Sequence, residues 1–379
     1  MEERAGLFEN GSDFWDWMHM YARMSMLYRY SRLPSALAKD KGWDLEGNIG
    51  DCIQNLAIEN IYRKMGVDVK DLTLINRDEL DAYEGEYRIL PMQGWFAEAF
   101  RVFPLPWSRK ITPVFIGFHL STWSTARDQF VKCGLAKKMR PFAPVGCRDR
   151  NTMRFLQSQG VEAYFSGCMT MTFDSREKEP ANGKIFVVDL HESLLERLPA
   201  KIKAEADFSV THKYGFQKYP LDEDDAQAFE DQARKVLAKY RDEAKLLITS
   251  RLHAALPCAA MGIPVIFYHH NQEDDRFDAV DGLLHVYSQK EIESINWNPR
   301  PVDMRKLKKL MVANAIASID AARKKRLWQK KECVEELGRY LERRLKYARL
   351  RKRLLIRLAK WAPTRAMRQA CRGKAKVQP

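Results

Sequence analysis

Short apolar runs alternate with longer amphipathic stretches along most of the chain. Strand-like runs occupy Leu72–Asn76, Arg88–Met92, Val114–Phe118, Lys184–Asp189, Leu246–Ile248 and Val265–Tyr268. Helix-like stretches occupy Ile58–Met65, Met153–Gln159, Ser193–Ile202 and Asp222–Asp242, followed by residues 303–360, where apolar residues recur three and four positions apart. This alternation predicts an α/β fold with open sheets.

The segment from Leu246 to Tyr268 has the clearest pattern, LLITSRLHAALPCAAMGIPVIFY. Its two ends are apolar and predict buried strands, with Thr249 and Ser250 as N-cap candidates for the Ala-rich helix between them. A glycine and a proline end that helix. The segment therefore predicts one strand, helix, strand unit, with Arg251 and His253 at the helix entrance.

The entrance of this helix suits an anion. The first turn of a helix offers N–H groups and the positive end of the helix dipole. Arg251 can donate two hydrogen bonds to a phosphate or carboxylate, and His253 can transfer a proton near neutral pH. The alternative is structural, with Arg251 bracing a strand end and His253 packed in the helix. We predict catalytic residues here, in a site that protonates a substrate once an anionic donor has bound.

A glycine-containing turn precedes the helix-like stretch that ends at Met65. Gly50 lets the backbone approach a ligand, and Asn48, Asp51 and Gln54 offer acceptors and donors to hydroxyl groups. We predict that these four residues bind substrate. A tight turn that caps a helix is the alternative.

Further site candidates stand where strands end, because ligands of open α/β sheets gather at the carboxyl ends of strands. Arg148 precedes a predicted helix and would face this crevice, although an Arg-Asp pair is commonly a surface salt bridge. His119 follows a predicted strand and is a substrate-binding candidate with a packed histidine as its alternative. Ser166, His270 and Arg276 complete the predicted substrate-binding set.

Composition limits the class of protein. A chain of 379 residues with 45% hydrophobic residues exceeds one core, so two domains are predicted. Seven scattered cysteines without a CxxC pair predict free thiols in a reducing compartment. The start of the chain is acidic and no apolar stretch is long enough to span a bilayer, so we expect a cytoplasmic location. The spacing of His269, His270, Asp274 and Asp275 fits no metal site.

The positive charge is concentrated at the C-terminus. Residues 321–379 contain 21 Lys and Arg against 4 Asp and Glu, a net charge of +17, which leaves −3 for the rest of a chain with +14 overall. Bases alternate there with leucines, which suits an anionic membrane surface at the inner face of the plasma membrane. Nucleic acid is not predicted, because no recognition motif accompanies the charge. A solvated tail is the alternative.

Four motifs in order resemble the polysaccharide pyruvyl transferase family. They are NIGDCIQNLA from Asn48, PVGCRDRNT from Pro144, AYFSGCMTMTF from Ala163 and TSRLHAALPCAAMGIPVIF from Thr249. The resemblance covers roughly Gly47 to Leu284.

The resemblance implies a GT-B-like fold, in which two Rossmann-type domains face each other across a cleft. Within the chain it divides an acceptor-side domain (47–180) from a donor-side domain (181–302). Outside the region of resemblance, the helix-like spacing of apolar residues predicts an N-terminal helical extension (1–46) and C-terminal helices with a basic tail (303–379). The resemblance also implies transfer of the three-carbon unit of phosphoenolpyruvate to hydroxyls of a polysaccharide or its lipid-linked precursor, with ketal formation and no cofactor. His253 then falls on the general acid, Arg148 on a donor-binding arginine and Arg251 on the arginine of the RLH motif.

One position departs from the family pattern. The family has a lysine shortly after the strand that follows RLH, whereas this chain reads HHNQEDDRF there. Arg276 is the residue we expect to replace that lysine. A GT-B glycosyltransferase that uses a nucleotide-sugar donor is the alternative function, and a membrane-associated scaffold without catalysis is a third.

Overall fold

A computed structural model describes residues 20–25, 46–96, 105–122, 124–216, 221–270, 275–325 and 330–361. Its α-helices are α1 (Ile49–Lys64), α2 (Ser124–Lys132), α3 (Leu135–Met139), α4 (Arg150–Ser158), α5 (Glu192–Leu195), α6 (Ala200–Glu205), α7 (Glu223–Glu243), α8 (Leu252–Ala260), α9 (Arg305–Arg323) and α10 (Lys331–Trp361). Its strands are β1 (Ala22–Ser25), β2 (Glu46–Asn48), β3 (Thr73–Asn76), β4 (Arg88–Trp95), β5 (Ile111–His119), β6 (Val145–Cys147), β7 (Ala163–Phe165), β8 (Lys184–Val188), β9 (Ala206–Asp207), β10 (Lys213–Gly215), β11 (Ala244–Thr249), β12 (Val265–Tyr268) and β13 (Val286–Tyr287).

Two parallel sheets follow one another along the chain. The first has the strand order β4-β5-β6-β7, and the second has the order β13-β12-β11-β8-β9. Their strands are apolar along most of their length because helices and loops cover both faces. Strand β11 lies at the centre of the second sheet, between β8 and β12. The predicted α/β class is confirmed.

Helix α1 joins the two halves of the molecule. Twelve of its 16 residues are buried, as expected of a helix enclosed on nearly all sides. Its entrance is tied to the second half, since β2 pairs antiparallel with β10 and the amide of Ile49 donates to the carbonyl of His212 at 2.9 Å. One continuous apolar cluster then contains residues of α1, of both sheets and of α8.

The C-terminal helices return to the first half. The predicted apolar stripe of α9 is buried at Leu307, Met311 and Ile319. The amide of Asn314 donates to the hydroxyl of Tyr164 on β7 at 2.9 Å. Before α10, the ammonium of Lys330 donates to the carbonyls of residues 142 and 144. The C-terminal region therefore packs on the first half, although it follows the second in sequence.

Two helix predictions are wrong. The run Ser193–Ile202 forms two short helices, because the fixed backbone of Pro199 stands at the N-cap of α6 and interrupts the helix. Residues 22–25, inside the predicted N-terminal helical extension, form a buried strand that pairs with β3. The remainder of that extension and residues 362–379 of the tail lie outside the described residues. The predicted domain boundaries stay predictions.

Candidate active site

The entrance of α8 is built by the end of β11. Thr249 accepts a hydrogen bond from the amide of Arg251 at 3.0 Å and donates to the carbonyl of Val188 at 2.9 Å. Arg251 itself is the N-cap residue, without a side-chain cap. The expectation that Thr249 or Ser250 caps the helix is wrong, since the hydroxyl of Thr249 is used to join two strand ends. The RLH motif thus begins α8 with His253 in its first turn.

Asp189 positions Arg251. Nε of Arg251 donates to Oδ2 of Asp189 at 2.8 Å, and the same carboxylate accepts from the hydroxyl of Thr211 at 2.6 Å and the amide of His212 at 3.0 Å. Burial alone raises the pKa of Asp189, but these donors and the charge of Arg251 outweigh it, so the pKa is lowered. Within the described residues, no acceptor contacts the terminal nitrogens of Arg251, whose side chain is 31% exposed. Both nitrogens therefore remain for an anion.

The turn before α1 lies against His253. Oδ1 of Asn48 caps the helix by accepting from the amide of Gly50 at 3.0 Å. A Cβ placed on Gly50 would lie 3.1 Å from both Cβ and Nδ1 of His253. Glycine at this position allows the close approach, so the two predicted motifs, about 200 residues apart in sequence, meet here.

Arg148 reaches the same helix one turn later. Its side chain is 1% exposed, and Nη1 donates to Oε1 of Gln54 at 3.0 Å. The amide of Gln54 donates to Oδ1 of Asp51 at 3.2 Å. Gly94, with φ of +93°, lies beside Gln54, since a Cβ there would be 3.1 Å from Oε1. A glycine turn on β4 therefore makes room for the amide that accepts from Arg148.

Gly50 and Gln54 are four residues apart on α1 and so lie on one face of the helix, about 6 Å apart along its axis. His253 borders that face at Gly50, and Arg148 borders it at Gln54. The guanidinium of Arg148 from the first half and the imidazole of His253 from the second half therefore border successive turns on the same face of α1. The arrangement can hold an anion and deliver a proton to it.

The part of the chain that contains these residues matches a known protein family. The family model described as polysaccharide pyruvyl transferase matches residues 48–271, more than half of the chain. The chain belongs to the polysaccharide pyruvyl transferase family. It is therefore a transferase, and Asn48, Gly50, Gln54, Arg148, Arg251 and His253 all lie within the matched range.

Comparisons with curated proteins and with solved structures give no further assignment. The comparison with curated proteins finds no match. Among solved structures, the chain is similar to a functionally uncharacterized protein of Klebsiella pneumoniae, at 14% identity and a TM-score of 0.39. That similarity covers 70% of this chain and 90% of the other. The assignment to the pyruvyl transferase family rests on the sequence match.

In this member of the pyruvyl transferase family, the side chain of His119 contacts Asp149, the residue that follows Arg148. It is fully buried, and Nδ1 lies 2.5 Å from Oδ2 of Asp149, the N-cap residue of α4. Burial alone raises the pKa of Asp149, but the charge of His119 and the hydrogen bond from the amide of Thr152 outweigh it, so the pKa is lowered. The ring of Trp95 lies 5.0 Å from that of His119. This burial fits a positioning role better than the predicted contact with substrate.

Ser166 is likewise buried within the first half of the molecule. Its hydroxyl accepts from the amide of Gly117 at 3.0 Å and donates to the carbonyl of Cys147 at 3.0 Å. These bonds join the ends of β5, β6 and β7 beside Arg148. Sequence reasoning placed Ser166 at the site but did not show that backbone groups use its hydroxyl.

His270 and Arg276 follow strand β12 in the chain. The ring of His270 stacks on His191 at 4.1 Å and on His269 at 4.8 Å, at the end of β12. Arg276 belongs to the 3-10 helix Asp275–Val280, beyond the matched family range, and its side chain lies outside the described residues. The described side chains contain no group of three metal-ligating residues.

Proposed function

We propose that this family member transfers the three-carbon unit of phosphoenolpyruvate to hydroxyls of a cell-surface polysaccharide or its lipid-linked precursor. The observation that carries the proposal is the approach of His253 to Gly50, with Arg148 held one turn away through Gln54. An acid beside two arginines suits a substrate that is a compact anion and must be protonated.

Donor binding falls to the two arginines. Arg251 presents its terminal nitrogens at the entrance of α8, where the helix dipole also favours an anion. Arg148 adds positive charge from beneath α1. Because it is 1% exposed and donates to Gln54, the phosphate contacts it directly only after the side chain of Gln54 turns aside.

His253 acts as general acid in this scheme. It transfers a proton to the methylene carbon of phosphoenolpyruvate, which becomes a methyl group and leaves an oxocarbenium-like centre at the neighbouring carbon. One sugar hydroxyl adds to that carbon, and its proton returns to the imidazole. A second hydroxyl then displaces the phosphate, which leaves with the second proton, and the ketal closes. No cofactor takes part.

We assign binding of the sugar acceptor to the residues at the N-terminal end of α1. Asn48, Asp51 and Gln54 offer oxygen and nitrogen atoms next to Gly50, and the sugar would bind them. We assign His119 and Ser166 to positioning, because both are buried and bonded within the first half. His270 and Arg276 would border the donor from the loop after β12.

The proposed domain arrangement is GT-B-like, with an acceptor-side domain at 47–180 and a donor-side domain at 181–302. Two successive parallel sheets and the return of α9 to β7 support it. In such an arrangement α1 of the first domain faces α8 of the second across the site.

The test uses phosphoenolpyruvate labelled in its carbon atoms and the membrane and glycan fraction of the source cells as acceptor. His253→Ala and Arg148→Ala should each lower transfer by about 10²-fold or more, as expected when a proton donor or a charged contact is removed. His285→Ala and Arg140→Ala are matched controls away from the RLH motif and should keep full transfer. Full transfer by His253→Ala would refute the assignment.

A nucleotide-sugar donor is the second candidate, because the stretch HHNQEDDRF lacks the lysine of the family pattern. The rings of His191, His270 and His269 also stack on one another in that order, and a nucleotide base would extend this stack. A thermal-shift panel separates the donors, since a ligand that binds the folded state raises the melting temperature. A shift with phosphoenolpyruvate alone supports pyruvyl transfer, and a shift with a nucleotide sugar alone overturns it.

A further inference from the structure

The C-terminal helix α10 extends beyond the body of the protein. Its first half is packed, with Val334, Leu337, Leu341 and Leu345 buried. From Lys346 to Leu358 none of the described side chains is buried. At 1.5 Å per residue the exposed part is about 20 Å long. No helix of the described part combines the length and the apolarity that crossing a bilayer requires.

The exposed part has an apolar row of its own. Tyr347, Leu350, Leu354 and Leu358 are three or four residues apart and therefore share one face. About half of each leucine is exposed, at 54%, 58% and 48%. At 100° per residue, this row lies about two-fifths of a turn from the buried row that ends at Leu345. It is therefore a second apolar face, not the continuation of the packed one.

Bases flank this row. Residues 343–361 contain nine Lys and Arg and no Asp or Glu. Lys346, Arg349, Arg353 and Arg357 follow one side of the row at helical spacing. Arg349 lies 3.6 Å from Asp281, and that side chain is 63% exposed. A helix with leucines on one face and bases beside them is typical of a segment that lies in a membrane interface.

A cationic groove continues the row toward the body of the protein. It lies between α9 and α10, has a volume of about 490 Å³, and contains Tyr340 and Tyr347 from the same face of α10. Its charged lining consists of Lys306, Arg339, Arg343, Arg344 and Glu336. Four bases against one acid make the groove positive, and a phosphate headgroup has the matching charge.

Part of this groove is held rigid. Arg344 donates to the carbonyls of Gly282 at 3.1 Å and Asp303 at 3.3 Å. Lys306 lies 5.5 Å from the ring centre of Tyr340. Arg344 and Lys306 are thus held in place next to the point where α10 leaves the body. A headgroup bound there would determine how deeply the leucine row inserts into the bilayer.

We propose that the exposed half of α10 and the adjoining groove form a docking site for an anionic phospholipid bilayer. The leucine row inserts at the boundary between the lipid headgroups and the acyl chains. The flanking bases contact lipid phosphates, and the groove binds one headgroup. The combination of charge and apolar surface selects this partner, because a nucleic acid would match the bases but not the leucines. The site is separate from the RLH motif, so it stands whether or not the proposed donor is correct.

The test compares full-length protein on vesicles of phosphatidylglycerol mixed with phosphatidylcholine and on vesicles of phosphatidylcholine alone. The protein should float with the anionic vesicles and not with the neutral ones, and added salt should release it. The variant L350Q/L354Q/L358Q should bind about a hundredfold more weakly, since each half-exposed leucine contributes about fivefold. Glutamine preserves helix propensity, so the far-ultraviolet circular dichroism should not change.

Ile356 provides the matched control. It is 43% exposed and lies on the opposite side of α10 from Leu354, so I356Q should bind like the wild type. For the groove, R343Q should weaken binding about fivefold, the change that corresponds to about 1 kcal/mol for one base near the lipid. K138Q, which removes an exposed lysine of α3, should leave it unchanged.

Three outcomes would overturn the proposal. The first is equal binding by wild type and the triple leucine variant. The second is a lower melting temperature of the triple variant, which would mean that the leucine row packs against another part of the chain. Binding of duplex DNA at the same salt, with no binding to anionic vesicles, would also reject the bilayer as partner.

Discussion

Gly50→Ala perturbs the candidate site where α1 lies against His253, without removing a functional group. The added Cβ would lie 3.1 Å from Nδ1 and Cβ of His253 and 3.0 Å from Oδ1 of Asn48, whereas ordinary contacts begin near 3.4 Å. His253 or Asn48 must therefore move by a few tenths of an ångström. Neither residue has a long flexible side chain. Two of the three close contacts are to His253, so we expect the shift to displace the imidazole.

The displacement sets the expected loss of rate. A misplacement of about 1 Å costs about 10²-fold, so a shift of a few tenths should lower kcat about tenfold or less. Alanine also raises helix propensity over glycine by about 0.8–1.0 kcal/mol, which offsets the strain in the folded state. We expect Gly50→Ala to lose activity while its melting temperature stays near that of the wild type.

Transfer from labelled phosphoenolpyruvate measures kcat, and a thermal scan measures stability. Gly338→Ala is the matched control, because Gly338 also lies in a helix and a Cβ there would meet nothing within 4 Å. It should keep full activity and gain stability. Full kcat in Gly50→Ala would refute the reasoning, since the imidazole would then not lie close to the reacting atoms.

Three further predictions concern the groups that hold the site and the fold. Asp189→Asn removes the charge that positions Arg251, so KM for the anionic donor should rise roughly tenfold with a smaller change in kcat; an unchanged KM would argue against a donor role. Burial lowers the pKa of Lys330 to about 8 from 10.5. The unfolded chain then binds more protons between these values, so the free energy of unfolding contributed by Lys330 rises with pH across this window. Urea unfolding of wild type and K330M at several pH values measures it, and parallel pH dependence would contradict it. Arg23 donates to both oxygens of Glu230 in a buried pair, and Arg234 also donates to this carboxylate, so Arg23→Met should lower the free energy of unfolding by about 2 kcal/mol, measured by urea unfolding; an unchanged free energy of unfolding would show that the pair is not needed.

The order of strands and helices was readable from the chain because burial on both faces of a parallel sheet leaves a local trace of consecutive apolar residues. Val265–Tyr268 was predicted with its observed bounds. The predicted helix start at Asp222 is one residue before the observed start of α7 at Glu223, and Asp222 is the N-cap. Predictions from local sequence failed where a side chain bonds to a residue that is distant in the chain. Thr249 has the side chain of an N-cap residue, but its hydroxyl joins β11 to β8.

Apolar periodicity and the four ordered motifs were sufficient to predict the α/β class and the family. Only the tertiary structure decided which of the predicted site residues meet. Gly50 and His253 approach because β2 pairs with β10 and carries the entrance of α1 into the second half. His119 and Ser166 look like ligands in sequence, yet both are buried and bonded inside the first half. The reason is that a residue's type is local, whereas its burial and neighbours depend on segments that are distant in the chain.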